Sequence, residues 1–152
     1  MSYDPNYRAS LWADDAAACD QIRSILPIVD IIKLSQEEMP FAAGIDDVDT
    51  AIKVLRKEGV ALIVITLGEG GAVVATGDQQ RSVPAFPCDA VDTTGAGDAF
   101  FAGTTIGLTY GKTLAESCEI GSRLAASVIC ITENVCPRFR PLEFGLNIPV
   151  VD

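Results

Sequence analysis

Apolar positions along the chain alternate between two rhythms. Ala16, Cys19, Ile22, Ile25 and Leu26 fall near the spacing of one helix face, so residues 16–26 are a predicted helix. Asp14 and Asp15 are its candidate N-caps and Pro27 its stop. Ile28-Val29-Asp30-Ile31-Ile32-Lys33-Leu34 is a β-branched apolar run and predicts a buried parallel strand over 28–34. Ser35-Gln36-Glu37-Glu38 has the spacing of a capping box and opens a short predicted helix. Asp46 or Asp47 caps a second helix over 48–57, ended by Gly59. Residues 61–67 read as a buried strand, Gly68-Glu69-Gly70-Gly71 as a turn, and 72–75 with 79–83 as partner strands. Pro84 and Pro87 mark a connector. Asp92-Thr93-Thr94-Gly95-Ala96-Gly97-Asp98 then opens a helix of small residues to about Tyr110, and 113–132 predicts an apolar helix. Strands alternating with helices predict an α/β fold with a mostly parallel sheet.

Composition narrows the chemistry. A chain of 152 residues is long enough for one domain. No run approaches the ~18 uncharged apolar residues of a membrane span. The net charge of −10 leaves no basic stripe for nucleic acid or an anionic membrane. The absence of histidine removes His-based triads, His-ligated zinc and His proton shuttles, so a general base must be carboxylate, Lys, Tyr or Cys. Cys19, Cys88, Cys118, Cys130 and Cys136 are odd in number, widely spaced and free of a CxxC pair. They are expected to be buried, reduced thiols of a cytoplasmic protein. Met1-Ser2-Tyr3-Asp4-Pro5-Asn6 lacks the basic-then-apolar order of a secretory leader.

The chemistry-bearing segment is Gly95-Ala96-Gly97-Asp98. Small residues at a helix start expose backbone N–H groups, and orphan donors with the helix dipole make an anion site. A carboxylate in that turn repels an anion and needs a reason to be there; accepting a proton from an attacking hydroxyl is one. The plainer reading is that Asp98 only complements the dipole. Two rival phosphate motifs fail. Gly107 and Gly111, before Lys112-Thr113, are separated by three residues where a P-loop needs four. Gly68-Glu69-Gly70-Gly71 lacks the third glycine of a dinucleotide fingerprint and is followed by a strand.

The segment from Asp92 to Phe100, Asp-Thr-Thr-Gly-Ala-Gly-Asp-Ala-Phe, resembles the C-terminal signature of the ribokinase/PfkB-type carbohydrate kinases. Other segments follow in that family's order. Asp4-Pro5-Asn6-Tyr7-Arg8 with Leu11-Trp12 resembles a segment of the fructokinase and 2-keto-3-deoxygluconate kinase branches. Lys33 to Glu38 stands where the family carries Asn-x-x-Glu, and Thr66-Leu67-Gly68-Glu69-Gly70-Gly71 resembles its nucleotide-binding turn. The resemblance covers about residues 2–132.

It implies a ribokinase-like three-layer α/β fold and transfer of the γ-phosphoryl of ATP to a sugar hydroxyl. Asp98 would be the base, and the N–H groups of Gly95, Ala96 and Gly97 the anion hole. Ser35, Thr66, Gly68 and Gly71 would line the ATP site. Glu38 would help place Mg²⁺ through water. Asn6 and Arg8 would lie near phosphate or substrate. Asp92 and the Thr94 carbonyl would hold a monovalent cation, K⁺. The implied partner is a small-molecule sugar or sugar acid, with a homodimer left open.

Three departures stand against the family pattern. Ser35 replaces its Asn, Glu133-Asn134-Val135-Cys136-Pro137 replaces a Gly-Ala pair near the adenine, and Arg138-Phe139-Arg140-Pro141 has no assigned role. The glycine-rich sugar-binding strands and small β lid of the family's N-terminal half also have no match here. Residues 1–136 are therefore expected to be the C-terminal, ATP-side half of such a domain, truncated at its N-terminus, and 137–152 an irregular tail. A sugar-acid or nucleoside kinase remains an alternative. So does a catalytically incomplete fragment that binds nucleotide or phosphate; a Rossmann dehydrogenase would instead bind NAD(H).

Overall fold

The computed structural model describes residues 1–130, 140–144 and 146. Glu133 to Arg138, and with them the segment expected near the adenine, lie outside the described residues. The chain forms two compact units, Met1–Ser82 and Val83–Asp152.

In the first unit five strands form one sheet in sequence order: β1 (Ser2–Tyr3), β2 (Ile31–Ser35), β3 (Leu62–Thr66), β4 (Ala72–Thr76) and β5 (Gln79–Val83). β1, β2 and β3 run parallel, and β4 returns antiparallel to β3 across the short Gly68–Gly70 turn. The sheet is thus mixed, with the expected parallel pairing confined to its first three strands. The register puts Ile32 beside Ile63 and Ile63 beside Ala75, and likewise Leu34, Ile65 and Val73 in a row. These six side chains make one apolar face. Against it pack Ile22 of α1 (Asp15–Ile25), Met39 and Ala42 of α2 (Met39–Ala43), and Ala51, Ile52 and Leu55 of α3 (Val48–Lys57). Each buried Val, Leu, Ile or Met among them contributes roughly 1.5–3 kcal/mol.

Helix ends follow the sequence closely. Asp14 accepts from the Ala17 N–H at 2.8 Å and Asp47 from the Thr50 N–H at 2.9 Å, the N-caps expected of α1 and α3. The strand expected from residue 28 starts only at Ile31. Pro27 lies in a 3-10 turn over Leu26–Ile28, closed by the Val29 N–H on the Leu26 carbonyl, and this leaves Ile28 67% exposed.

The second unit holds α4 (Ala96–Thr109) and α5 (Leu114–Ile129), two helices packed through small residues. A Cβ at Gly103 would sit 2.8 Å from the Gly121 Cα. One at Gly107 would sit 2.8 Å from the Ser117 Cα, and one at Gly121 would reach the Phe100 carbonyl at 2.6 Å. Contact this close buries the hydroxyls of Thr104 and Ser117 without hydrogen-bond partners. Thr113 and Glu116 cap α5 reciprocally: Glu116 Oε2 accepts from the Thr113 N–H (2.9 Å) and hydroxyl (2.7 Å).

The cysteines differ from expectation. Cys118 is buried and Cys19 half-buried, but Cys88 and Cys130 are exposed, because one lies on an irregular connector and the other just past a helix end. Cys136 lies outside the described residues.

Two outcomes follow from this packing. Gly121→Ala gains helix propensity of about 1 kcal/mol, yet its methyl meets backbone. The expected net result is destabilisation by roughly 1–3 kcal/mol in urea unfolding, and an unchanged midpoint would show that the helices can spread. The bonds from Thr113 hold the Glu116 carboxyl below its ordinary 4.5. A depressed folded value makes this contribution full above pH 4.5 and lost as pH falls through the folded value. Glu116→Gln should therefore flatten part of the acid limb of stability against pH.

Candidate functional site

The expected site residues fall into two groups, one in each unit. In the first unit they gather at the carboxyl ends of the three parallel strands, where α/β sheets bind ligands. β1 leads into Asp4 to Arg8, β2 ends at Ser35, and β3 ends at Thr66, which is paired with Ser35 in register. Glu38 joins two of these ends. It is only 6% exposed. One carboxylate oxygen accepts the Tyr7 N–H and the other the Ser35 N–H, both at 2.7 Å. Asn6 is the one non-glycine residue with positive φ among the described residues, at 44°. Its N–H donates to Asp4 Oδ1 at 3.1 Å, a short polar turn that asparagine tolerates. Arg8 is exposed and donates to the Tyr7 carbonyl at 2.9 Å.

Beyond Thr66 the chain turns tightly. The Leu67 N–H donates to the Gly71 carbonyl (2.8 Å), and the Gly71 N–H to the Gly68 carbonyl (3.0 Å). Gly68 and Gly71 both have positive φ, which explains why glycine stands at these positions.

Sequence reasoning missed the supports of this group. Lys33 Nζ lies 3.0 Å from Asp4 Oδ2, with side chains 10% and 24% exposed. The Tyr7 ring stacks on Phe41 at 4.2 Å, and its hydroxyl donates to Asp15 at 2.6 Å, which holds the phenol above its ordinary 10.0. Burial, then the Asp4 and Glu38 carboxylates, raise Tyr3 as well. The available signal was Lys33 itself, a lone charge inside an apolar strand that calls for a counter-ion.

In the second unit the Val91 and Asp92 N–H groups both donate to the Ile129 carbonyl, at 2.8 and 3.2 Å. The last turn of α5 thereby holds the loop that enters α4. Asp92 Oδ1 accepts the Thr94 N–H at 2.9 Å. Gly95 then adopts a left-handed conformation, φ 80°, as the N-cap of α4. The space beside it is ordinary, 3.6 Å to Val128, so it is the dihedral that calls for glycine. The Ala96 N–H makes a 3.2 Å bond to the Thr93 carbonyl. The N–H groups of Gly97 and Asp98 belong to the first turn, which has no intrahelical acceptors. The Asp98 side chain is exposed.

Among the described residues no group of three or more Cys, Asp or Glu could cage a metal. The donors that exist suit a different role. Each Glu38 oxygen spends one lone-pair direction on a backbone N–H and keeps another, which fits a water-mediated contact to Mg²⁺. The Asp92 carboxylate and Thr94 carbonyl share one turn, oxygen donors of the kind a monovalent cation takes.

Residues 1–133 match the family model described as pfkB family carbohydrate kinase. The chain is 37% identical over 126 residues to the ATP-dependent 6-phosphofructokinase of Thermoanaerobacterium thermosaccharolyticum, covering 83% of this chain and 39% of that protein. It is 43% identical over 109 residues to the fructokinase of Klebsiella pneumoniae, covering 71% and 36%. Among solved structures it resembles a double mutant of the fructokinase from Vibrio cholerae O395, in a form with fructose, ADP and potassium ion bound. That likeness has a TM-score of 0.74 at 26% identity and covers 86% of this chain and 44% of that one. The chain therefore spans less than half the length of each of these proteins.

Removing the Glu38 clamp should loosen the strand ends together. Glu38→Ala leaves two part-buried N–H groups unpaired, with an expected cost of roughly 1–3 kcal/mol. Amide hydrogen exchange at Tyr7 and Ser35 should accelerate jointly. Unchanged protection at both would remove Glu38 as the tie.

Proposed function

The chain belongs to the pfkB family of carbohydrate kinases, and on that premise we propose that it is the ATP and anion-hole part of a fructokinase-like sugar kinase. In this reading residues 1–136 form that part and 137–152 its tail. The reaction transfers the γ-phosphoryl of ATP to a sugar hydroxyl in the cytoplasm. The observation that carries the reading is the left-handed Gly95 turn, which starts α4 with Asp98 exposed in its first turn.

Asp98 accepts the proton of the attacking hydroxyl. The N–H groups of Gly95, Ala96 and Gly97 face the charge that grows on the transferring phosphoryl oxygens, a preorganised stabilisation. The 3.2 Å bond from Ala96 to Thr93 is long enough to yield to an anion. Ser35, Thr66, Gly68 and Gly71 at the strand ends line the nucleotide. Asn6 and Arg8 project from the neighbouring strand end toward phosphate or a substrate carboxylate. Mg²⁺ supplies charge neutralisation on the phosphates, and Glu38 would orient its water shell. Asp92 and the Thr94 carbonyl would hold K⁺ and so brace the turn before Gly95. The potassium ion in the fructokinase from Vibrio cholerae supports this assignment. The acidic balance of the chain disfavours nucleic acid, and no helix among the described residues is long and apolar enough to cross a membrane.

The test is a coupled ADP-release assay on the 152-residue chain with fructose and, separately, 2-keto-3-deoxygluconate. Sugar-dependent turnover is expected. Asp98→Asn should lower kcat by about 10²–10⁴-fold, the range for a general base, with ATP affinity by calorimetry little changed. Full turnover in Asp98→Asn would sink the assignment of the base. ATP binding without any sugar-dependent turnover would replace the reading with that of a nucleotide-binding part.

A further inference from the structure

Lys33 has no part in the chemistry above, yet its place in the sheet asks for one. It stands on β2 beside Val64 of β3, which stands beside Val74 of β4, and both valines are fully buried. A valine at 33 would continue that apolar row. A charge there is costly unless it is paired, and apolar residues in place of such a pair are often neutral or stabilising. What the lysine contributes is therefore sought in what its charge holds. Its Nζ lies 3.0 Å from Asp4 Oδ2. The other oxygen of the same carboxylate, Oδ1, accepts the Asn6 N–H at 3.1 Å. Between Asp4 and Asn6 stands Pro5, whose ring fixes its φ, and Asn6 takes its left-handed φ of 44°. The next N–H, that of Tyr7, is bound to Glu38 at 2.7 Å. Asn6 is thus held on both sides while its side chain is exposed.

We propose that Lys33 is a positioning residue: through the Asp4 carboxylate it holds Asn6 left-handed, with the Asn6 amide presented to phosphate or sugar. A non-glycine residue keeps such a conformation only where its surroundings over-determine it. Asp4 supplies the local acceptor, and Lys33 fixes where that acceptor stands. Without the ammonium, the Asp4 carboxylate is free to turn away from the sheet and release the Asn6 N–H. The order of action runs from β2 to Asp4 to Asn6, and Lys33 itself touches no substrate. The use made of Asn6 rests on the kinase reading given above; the hold on its backbone does not.

The test has two readouts on the 152-residue chain. The first is the nuclear Overhauser peak between the amide proton and Hα of Asn6, strong where φ is left-handed because the two protons then lie close. It should weaken to the level of an extended residue in Lys33→Met and stay strong in Lys33→Arg, which keeps the charge. Should Lys33→Met not fold, Lys33→Met with Asp4→Asn removes both charges together while leaving an acceptor at position 4. That pair should unfold in urea near the midpoint of the unaltered chain and still lose the peak. A peak that persists in either variant overturns the proposal. The second readout is kcat/KM for fructose in the coupled assay. Lys33→Met should lower it by roughly 10²-fold, the scale of a misplaced contact. Adding Lys33→Met to Asn6→Ala should cost nothing more, because the lysine acts through Asn6. Additive losses would show a merely structural role and overturn the positioning. Absence of turnover in the unaltered chain would instead overturn the kinase reading, and the Asn6 peak then decides the role of Lys33 alone.

Discussion

The second unit depends on how closely α4 and α5 approach. With glycine at 103, 107 and 121 the two backbones meet where side chains would normally hold them apart. That proximity brings the end of α5 near the start of α4, so that a single carbonyl, that of Ile129, can hold both N–H groups of the incoming loop. The left-handed Gly95 then has only to redirect a chain already fixed at both ends. The turn is thus held in place by the chain's own backbone bonds.

The first unit solves the same problem with a charge. Glu38 is buried, and a buried carboxyl needs hydrogen-bond partners. Two backbone N–H groups from separate strand ends supply them. Lys33, two residues before Ser35 on β2, and Asp4 repeat the device as an ion pair. Removing one member of such a pair costs far more than the pair contributes. These acids and bases therefore act chiefly to fix the geometry of the Asp4 to Arg8 segment against β2.

Much of this was legible in the chain. Asp14 and Asp47 announced their helices because capping is local chemistry over three residues. The apolar rows of β2, β3 and β4 were legible because both sheet faces are buried. The motif from Asp92 to Asp98 stood out because two glycines and an alanine at a helix start, flanked by Asp-Thr-Thr and Asp, are an unusual composition. What escaped was long-range. Nothing within a few residues of Asp4 names Lys33 as its partner, and Tyr7 meets Phe41 only after β2 and α2 have folded. The exposure of Cys88 and Cys130 escaped for the same reason. Ile28 misled because its apolar character matched the strand, while the Pro27 turn decided where the strand could start.

The glycine seam between α4 and α5 also limits how this sequence could change over generations. A methyl at Gly121 needs space that the Phe100 carbonyl and Thr104 occupy, and widening the gap there would open it at Gly103 and Gly107 as well. Single substitutions along the seam are therefore penalised together, and only concerted replacement would open another route. The exposed helix faces and the connector around Phe86 carry no such restraint. Variation should collect on those surfaces while the seam, and the loop it holds in place, stay as they are.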